Sequence, residues 1–572
     1  MTRDENITLL LHRAHVLAPG MLLHQATQES QLQSAEIVDA LEGLPLALDQ
    51  AGAYIEETPC GLAHYLHLLK THRKTFLKRR GRFPQNPPDP VTITWQISFQ
   101  HIKWLWPASA ELLHLCAFFD ADCLPEELLT QGSAQWGPLL AKAFGDPLKL
   151  ESLLEPLHRY ALVRRSPETN ALSLHPLVQE VVRQDLPLAR QRQWATHVIL
   201  ALHRTFPDVK QETWDQCQRL LPQVLMAVQF CTQYKLVFPE AAQLFLRSGD
   251  FALIRRMLTH SERLFQTTLV LQQQLSSVTN PETAKGFHGL GELYRVWGRY
   301  AEAEPLLQQA LAIYEQSPPS DPLEPVRTLN SLGELSHNLG RYQEAEARFQ
   351  EALSLTERLG GLDHDETYTT LHHLTRLYHS QGRYGEAEQN YLKILRALEE
   401  RLGPTYVDVA VLLSNLAVNY RKQGHLEKAE ALLQRTLDIE EKAFGPEDHR
   451  VATILHNLGV IYQKQGHLDQ AAGVFQRALD IKEASLGPKH LSSITTATNL
   501  ANLLRMQKQY PAAKTLLQKA LASDVGEEHP YTAVILRNLV RLLQEEGHDE
   551  EAQALSLRLL AIKAKTSTHS PS

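Results

Sequence analysis

The sequence predicts a mainly α-helical protein whose second half is a solenoid of stacked helix pairs. Three observations carry this. One short pattern recurs seven times, at a spacing of 42 residues for five steps and 39 for the last; a fixed period of this size marks a repeat architecture. Between its turn signals the apolar residues keep helical spacing. Gly and Gly-Pro stops fall at the same place in successive copies, where helices end and the chain reverses.

The copies are WGRYAEAEPLLQQAL, LGRYQEAEARFQEAL, QGRYGEAEQNYLKIL, QGHLEKAEALLQRTL, QGHLDQAAGVFQRAL, KQYPAAKTLLQKAL and EGHDEEAQALSLRLL. Their register glycines are Gly298, Gly340, Gly382, Gly424, Gly466 and Gly547, with Lys508 at that place in the sixth copy. Five residues on stand Ala303, Ala345, Ala387, Ala429, Ala471, Ala513 and Ala552. An invariant alanine marks a helix crossing with no room for more, where overpacking costs roughly 1–3 kcal/mol. Two residues after the glycine come Tyr300, Tyr342, Tyr384, Leu426, Leu468 and Tyr510, and Gly-Pro recurs at Gly403, Gly445 and Gly487. Each unit is therefore an antiparallel helix pair, and the units stack into an α-α superhelix.

These columns resemble the tetratricopeptide repeat (TPR), and the 42-residue period is similar to the repeats of kinesin light chains. The array is expected over residues 276–562, followed by a disordered tail at 563–572. Upstream, Arg247–Phe265 resembles a degraded copy at a 49-residue offset, within a helical connector at 191–275, and is expected to cap the solenoid.

Nine residues before the register position stand Gly289, Ser331, His373, Asn415, Asn457, Asn499 and Asn538. The resemblance places this column on the first helix of each pair, lining the concave groove. An Asn amide carries both donor and acceptor, so it can grip both groups of an extended peptide backbone. The alternative is that these amides bond within their own repeats. Cochaperone-type TPRs that clamp a C-terminal carboxylate carry Lys four residues before the groove Asn; Val411, Thr453, Thr495 and Val534 stand there, so a clamp of that kind is not expected.

In the first half, EIVDALEGLPLALDQAGAYI (Glu36 to Ile55) reads as a helix, a Gly-Leu-Pro break and a second helix. It resembles the GLPLA motif of the NB-ARC module in STAND-type signalling ATPases, which implies a helical remnant of that module at 1–82. In that family the motif's proline, here Pro45, packs on the adenine of bound nucleotide. After a Pro-rich break (Phe83 to Pro90), residues 88–190 resemble the winged-helix domain that follows NB-ARC in bacterial NB-ARC–TPR proteins. A two-strand wing is expected around Pro-Glu-Thr-Asn. Leu174-His175-Pro176 takes the place of the family's MHD motif, which implies that His175 faces the nucleotide's phosphates; Pro176 replaces the usual Asp and suits the first turn of a closing helix.

No GxxxxGK[ST] occurs in the 572 residues, so the glycine amides, Lys and hydroxyl that cradle phosphate and Mg²⁺ are missing. LCAFFD (Leu115 to Asp120) imitates a Walker B strand but falls in the winged-helix core. The chain is therefore expected to be no enzyme and to need no cofactor, with ADP or ATP entering only if a P-loop is supplied from elsewhere.

The remaining composition excludes more than it assigns. A net charge of -8 argues against bulk electrostatic binding of nucleic acid. No run of about 18 apolar residues spans a membrane, and the acidic start MTRDENITLL is no secretory signal. Five cysteines without a CxxC pair read as buried free thiols of a reducing, cytoplasmic setting. The 27 histidines include no HExxH, and no metal site is expected. The run Lys70 to Arg82 holds seven Lys or Arg in thirteen residues; it reads as a solvated helix end, with a winged-helix DNA-binding regulator as the alternative.

The functional expectation is a non-enzymatic protein-binding scaffold, or the sensor arm of a STAND-type signalling protein lacking its P-loop portion. It would bind a peptide or protein along Asn415, Asn457, Asn499 and Asn538. The alternative is an ATP/ADP-gated switch whose P-loop lies upstream or on a separate chain. The ligand's identity and the oligomeric state are left open.

Overall fold

The computed structural model describes residues 1–79, 90–144, 146–275, 280–360, 365–522 and 530–567. The Pro-rich break at 83–89, Arg80 and the stretch 568–572 lie outside the described residues, as do the side chains of Lys78 and Arg79. The protein is mainly helical and divides into two compact units, Met1–Ser320 and Asp321–Ser572.

The first unit opens with α1 (Arg3–Arg13), α2 (Gln28–Ala40), α3 (Pro45–Glu57) and α4 (Leu62–Arg79). Thr2 and Glu5 form a capping box that starts α1. The Gly-Leu-Pro break is a tight reversal: Glu42 and Gly43 both take positive φ (56° and 65°), and Pro45 is the first residue of α3. A Cβ on Gly52 would lie 2.6 Å from Arg13 Cγ, so α1 crosses α3 where only hydrogen fits.

Next come α5 (Pro90–Leu105), α6 (Pro107–Cys116), β1 (Leu124–Pro125), α7 (Glu126–Gln131), α8 (Gly137–Phe144), α9 (Pro147–Arg159), β2 (Arg164–Ser166), β3 (Ala171–Ser173) and α10 (Pro176–Asp185). The two strands expected around Pro-Glu-Thr-Asn are β2 and β3, a hairpin closed by the Ser166–Ala171 pair. β1 joins it to give an antiparallel sheet of order β1-β3-β2, in which Leu172 faces Leu124 on one side and Arg165 on the other. A two-residue strand containing proline carries no alternation to read. LCAFFD is the end of α6 and a turn, with Phe118 and Phe119 fully buried, not a strand. All five thiols are free; Cys123 is only half-buried, unlike the other four.

The unit closes with α11 (Leu188–Thr205), α12 (Trp214–Tyr234), α13 (Pro239–Ile254), α14 (Leu258–Leu275), α15 (Pro281–Trp297) and α16 (Tyr300–Gln316). Here the 49-residue offset fails. Gly249 lies inside α13, and the chain turns instead at Arg256, whose φ is 59°. Arg256 stands 42 residues before Gly298, so α13 and α14 keep the period with arginine in the register place. Gly249 belongs to another column: its Cβ would meet Phe265 at 2.7 Å, as Gly291 would meet Leu307 at 2.8 Å.

The second unit is six further pairs: α17 (Glu324–Asn338) with α18 (Tyr342–Leu359), α19 (Asp365–Ser380) with α20 (Tyr384–Leu402), α21 (Val407–Gln423) with α22 (Leu426–Phe444), α23 (His449–Gln465) with α24 (Leu468–Leu486), α25 (Leu491–Met506) with α26 (Tyr510–Leu521), and α27 (Pro530–Glu546) with α28 (Asp549–Ser567). α28 runs on into the stretch expected as a tail. The register glycines hold φ of 73–86°, and Lys508 adopts 62° without that freedom. The column alanines are buried throughout. Arg435 and Arg477 brace the Gly-Pro turns, donating to the carbonyls of Pro404 (2.8 Å) and Pro446 (3.0 Å) and to Glu399 and Glu441 of the preceding helix.

Candidate functional site

Asn415, Asn457, Asn499 and Asn538 stand on α21, α23, α25 and α27, the first helix of four successive pairs, and all are half-buried. Equal register puts them on one face. Among the described residues, the side chains of Asn415, Asn457 and Asn538 have no hydrogen-bond partner. Asn499 differs: its Nδ2 lies 3.4 Å from His456 Nε2. Residues three and four away on a helix share its face, so Val411 and Val418 flank Asn415, and Val460 follows Asn457. Val411 is 55% exposed, an apolar surface beside free amides.

His456 leads into a buried network. Its Nδ1 lies 3.0 Å from Thr496 Oγ1, and Lys482 Nζ donates to the same oxygen at 3.0 Å. Thr496 in turn donates to the Ser492 carbonyl at 3.0 Å. Lys482 is only 4% exposed, and burial pushes its ammonium down to about 8. Burial and the nearby Lys482 push His456 down to about 4. Sequence reasoning missed this network, yet a signal was present: the place sixteen after the register glycine reads Tyr314, Thr356, Leu398, Glu440 and Lys482, charges in a buried column.

Earlier in the array the equivalent face is charged. His373, in the asparagine column, stacks on Phe349 (5.4 Å, 10°) with Nδ1 2.9 Å from Glu334, which also pairs with Arg376. His373 is thus held within the packing of its repeat.

The first unit holds a second candidate. His175 caps α10, its Nδ1 accepting from the Leu177 amide at 3.3 Å. It shares a cavity of about 200 Å³ with Leu46, Asp122 and Arg164. Pro45 is exposed but does not line that cavity; its neighbour Leu46 does. A larger recess of about 750 Å³, lined from α7, α9 and the β2–β3 turn, is acidic: Glu126, Glu127, Glu151 and Glu168 against Arg165 and Arg219. Arg165 joins Glu126 and Glu151, and Arg219 holds Glu127 at 2.7 Å.

Known proteins match in parts. A MalT-like TPR region profile covers residues 315–568, a tetratricopeptide repeat profile covers 240–316, and a domain of unknown function, DUF7779, covers 101–191. The chain thus carries tetratricopeptide repeats, and the stretch 240–316 includes the pair turned at Arg256. A nucleotide-binding leucine-rich repeat (NLR)-like protein of Hyaloscypha variabilis is 24% identical over 266 residues, 43% of this chain and 25% of the relative. The match therefore spans about a quarter of that relative's length. The crystal structure of a STAND protein with a tetratricopeptide repeat sensor from Pyrococcus horikoshii shares the fold, with a TM-score of 0.62 and 12% identity over 99% of this chain and 74% of that one. A putative kinesin light chain of Podosopora anserina with nearly identical TPR-like repeats is 26% identical over 34% of this chain and 95% of that one, with a TM-score of 0.32.

Proposed function

We propose that the chain is a non-enzymatic protein-binding scaffold, the sensing and coupling portion of a STAND-type signalling protein, which captures an extended peptide or protein segment along its asparagine column. The observation that carries this is the row of unpartnered amides at Asn415, Asn457 and Asn538 beside exposed Val411. Backbone groups of a bound strand would pair with them, since each amide carries both donor and acceptor. Val411, Val418 and Val460 would add apolar area removed from water. The Pyrococcus horikoshii protein, whose repeats are named a sensor, supports assigning capture to the repeats. No phosphate cradle is encoded in the 572 residues, and no described helix is long and apolar enough to cross a membrane. A cytoplasmic setting is part of the proposal, in keeping with the free thiols.

The test pans a phage-displayed random dodecapeptide library on the full chain. Selected peptides should lose at least tenfold in affinity on the N415A/N457A double variant while its unfolding midpoint stays within a few degrees. Clones indifferent to both substitutions would refute the groove.

One observation favours a second reading, nucleotide gating completed by a P-loop on another segment: Leu46, Arg164 and His175 meet at one cavity. Micromolar, Mg²⁺-dependent ADP or ATP binding to the chain by calorimetry would establish it. A DNA-reading winged helix is disfavoured by its own surface. The exposed face of α9 balances Glu151 and Glu155 against Lys149 and Arg159, and the recess beside the β2–β3 turn is acidic, so no basic stripe for phosphates is formed there. Salt-sensitive DNA binding lost on neutralising Lys78, Arg79 and Arg80 would reverse this.

A further inference from the structure

Thr496 fixes the protons of the buried network. A hydroxyl has one hydrogen and two lone pairs. Its hydrogen goes to the Ser492 carbonyl, 3.0 Å away on the preceding turn. Lys482 Nζ can only donate, and takes one lone pair at 3.0 Å. His456 Nδ1, also at 3.0 Å, must then donate to the other. An imidazole with its proton on Nδ1, kept neutral by burial, has a bare lone pair on Nε2. The group facing that lone pair at 3.4 Å is the Asn499 amide nitrogen. The order of donors thus runs from a buried ammonium to a side chain on the repeat face.

We infer that His456 is a positioning residue: it holds the Asn499 amide by its nitrogen and leaves Oδ1 as a fixed acceptor, so that the groove selects a ligand presenting a backbone N–H at this repeat. The inference rests on the groove reading above. It adds that the four asparagines are not equivalent. Asn415, Asn457 and Asn538 can turn their amides to suit either ligand group, whereas Asn499 cannot. Its partner is the residue ten before the register glycine of the preceding repeat; the same place is Ser414 for Asn457 and His372 for Asn415, and neither bonds the asparagine.

The test uses the full chain and library-selected dodecapeptides that depend on Asn415 and Asn457. H456F keeps the ring against Phe475 but removes both nitrogens, and should weaken these peptides at least tenfold. H456Q, whose Oε1 can take the place of Nε2, should restore most of the loss, and H456F added to N499A should cost nothing further. N-methylation at one peptide position should cost tenfold on wild type and little on H456F. Wild-type affinity in H456F, failure of H456Q to rescue, or additive losses would overturn the inference. A ligand-free measurement keeps it separate from the groove reading: ¹⁵N-histidine spectra should show His456 as the neutral Nδ1–H tautomer from pH 5.5 to 8. An Nε2–H tautomer or an imidazolium at pH 7 would overturn it even if peptides bind. Peptides indifferent to Asn415 and Asn457 would refute the groove reading, and the spectra would then decide His456 alone.

Discussion

Replacing Lys482 by Met should stabilise the repeat array at neutral pH. The ammonium is buried at 4% exposure with Thr496 Oγ1 as its hydrogen-bond acceptor. Loss of hydration lowers its value from 10.5 to about 8. At about 1.4 kcal/mol per pH unit, the charged form costs the fold about 3 kcal/mol at pH 7. Below pH 8 both folded and unfolded chains hold the proton, so the penalty is full and constant. Between about 8 and 10.5 the unfolded chain binds more protons, so wild-type stability rises with pH across that window. Met keeps the length and apolar stem without charge, at the cost of one hydrogen bond worth about 1 kcal/mol. The expected gain is about 2 kcal/mol at pH 7, shrinking toward zero by pH 10. Urea unfolding of both chains at pH 7, 8.5 and 10, followed by far-ultraviolet circular dichroism, measures it. A K482M chain less stable at pH 7, or a gap independent of pH, would refute the reasoning.

Arg256→Gly and Lys508→Gly should each stabilise by about 1 kcal/mol, since both residues hold a left-handed backbone (φ 59° and 62°) that costs an L-residue about that much; equilibrium unfolding of each single variant checks the shared register, and destabilisation by R256G would break it. Gly459→Ala places a Cβ 2.7 Å from Phe475 Cδ1 and should cost about 1–3 kcal/mol, with Phe475→Leu recovering part of the loss, because the Ala417 and Ala501 equivalents face Leu433 and Leu517. The double-mutant cycle reads that coupling directly.

The repeats were legible because each residue of their pattern answers to a local rule. Gly298 and its equivalents supply positive φ, Ala303 and its equivalents allow a close crossing, and Tyr300 and its equivalents open the second helix. The earlier copy at α13 and α14 was misplaced because its register residue is Arg256, and a glycine seven residues earlier, Gly249, imitated the turn. Both glycine columns serve sterics, one of the backbone and one of a facing ring. Only packing against Phe265 tells them apart. Strand β1 escaped for a related reason: Leu124 and Pro125 are strand only because β3 pairs with them.

By itself, the sequence determined the helical class, the 42-residue period and the asparagine column. These follow from backbone sterics and spacing along one chain. The tertiary structure alone decided which asparagines are free. Asn415, Asn457, Asn499 and Asn538 are the same residue at the same register, yet only Asn499 meets a histidine from the preceding repeat. That histidine's proton is set by Lys482 through Thr496, from α24 and α25. Hydrogen-bond partners are chosen by proximity across helices, which no one-dimensional pattern encodes.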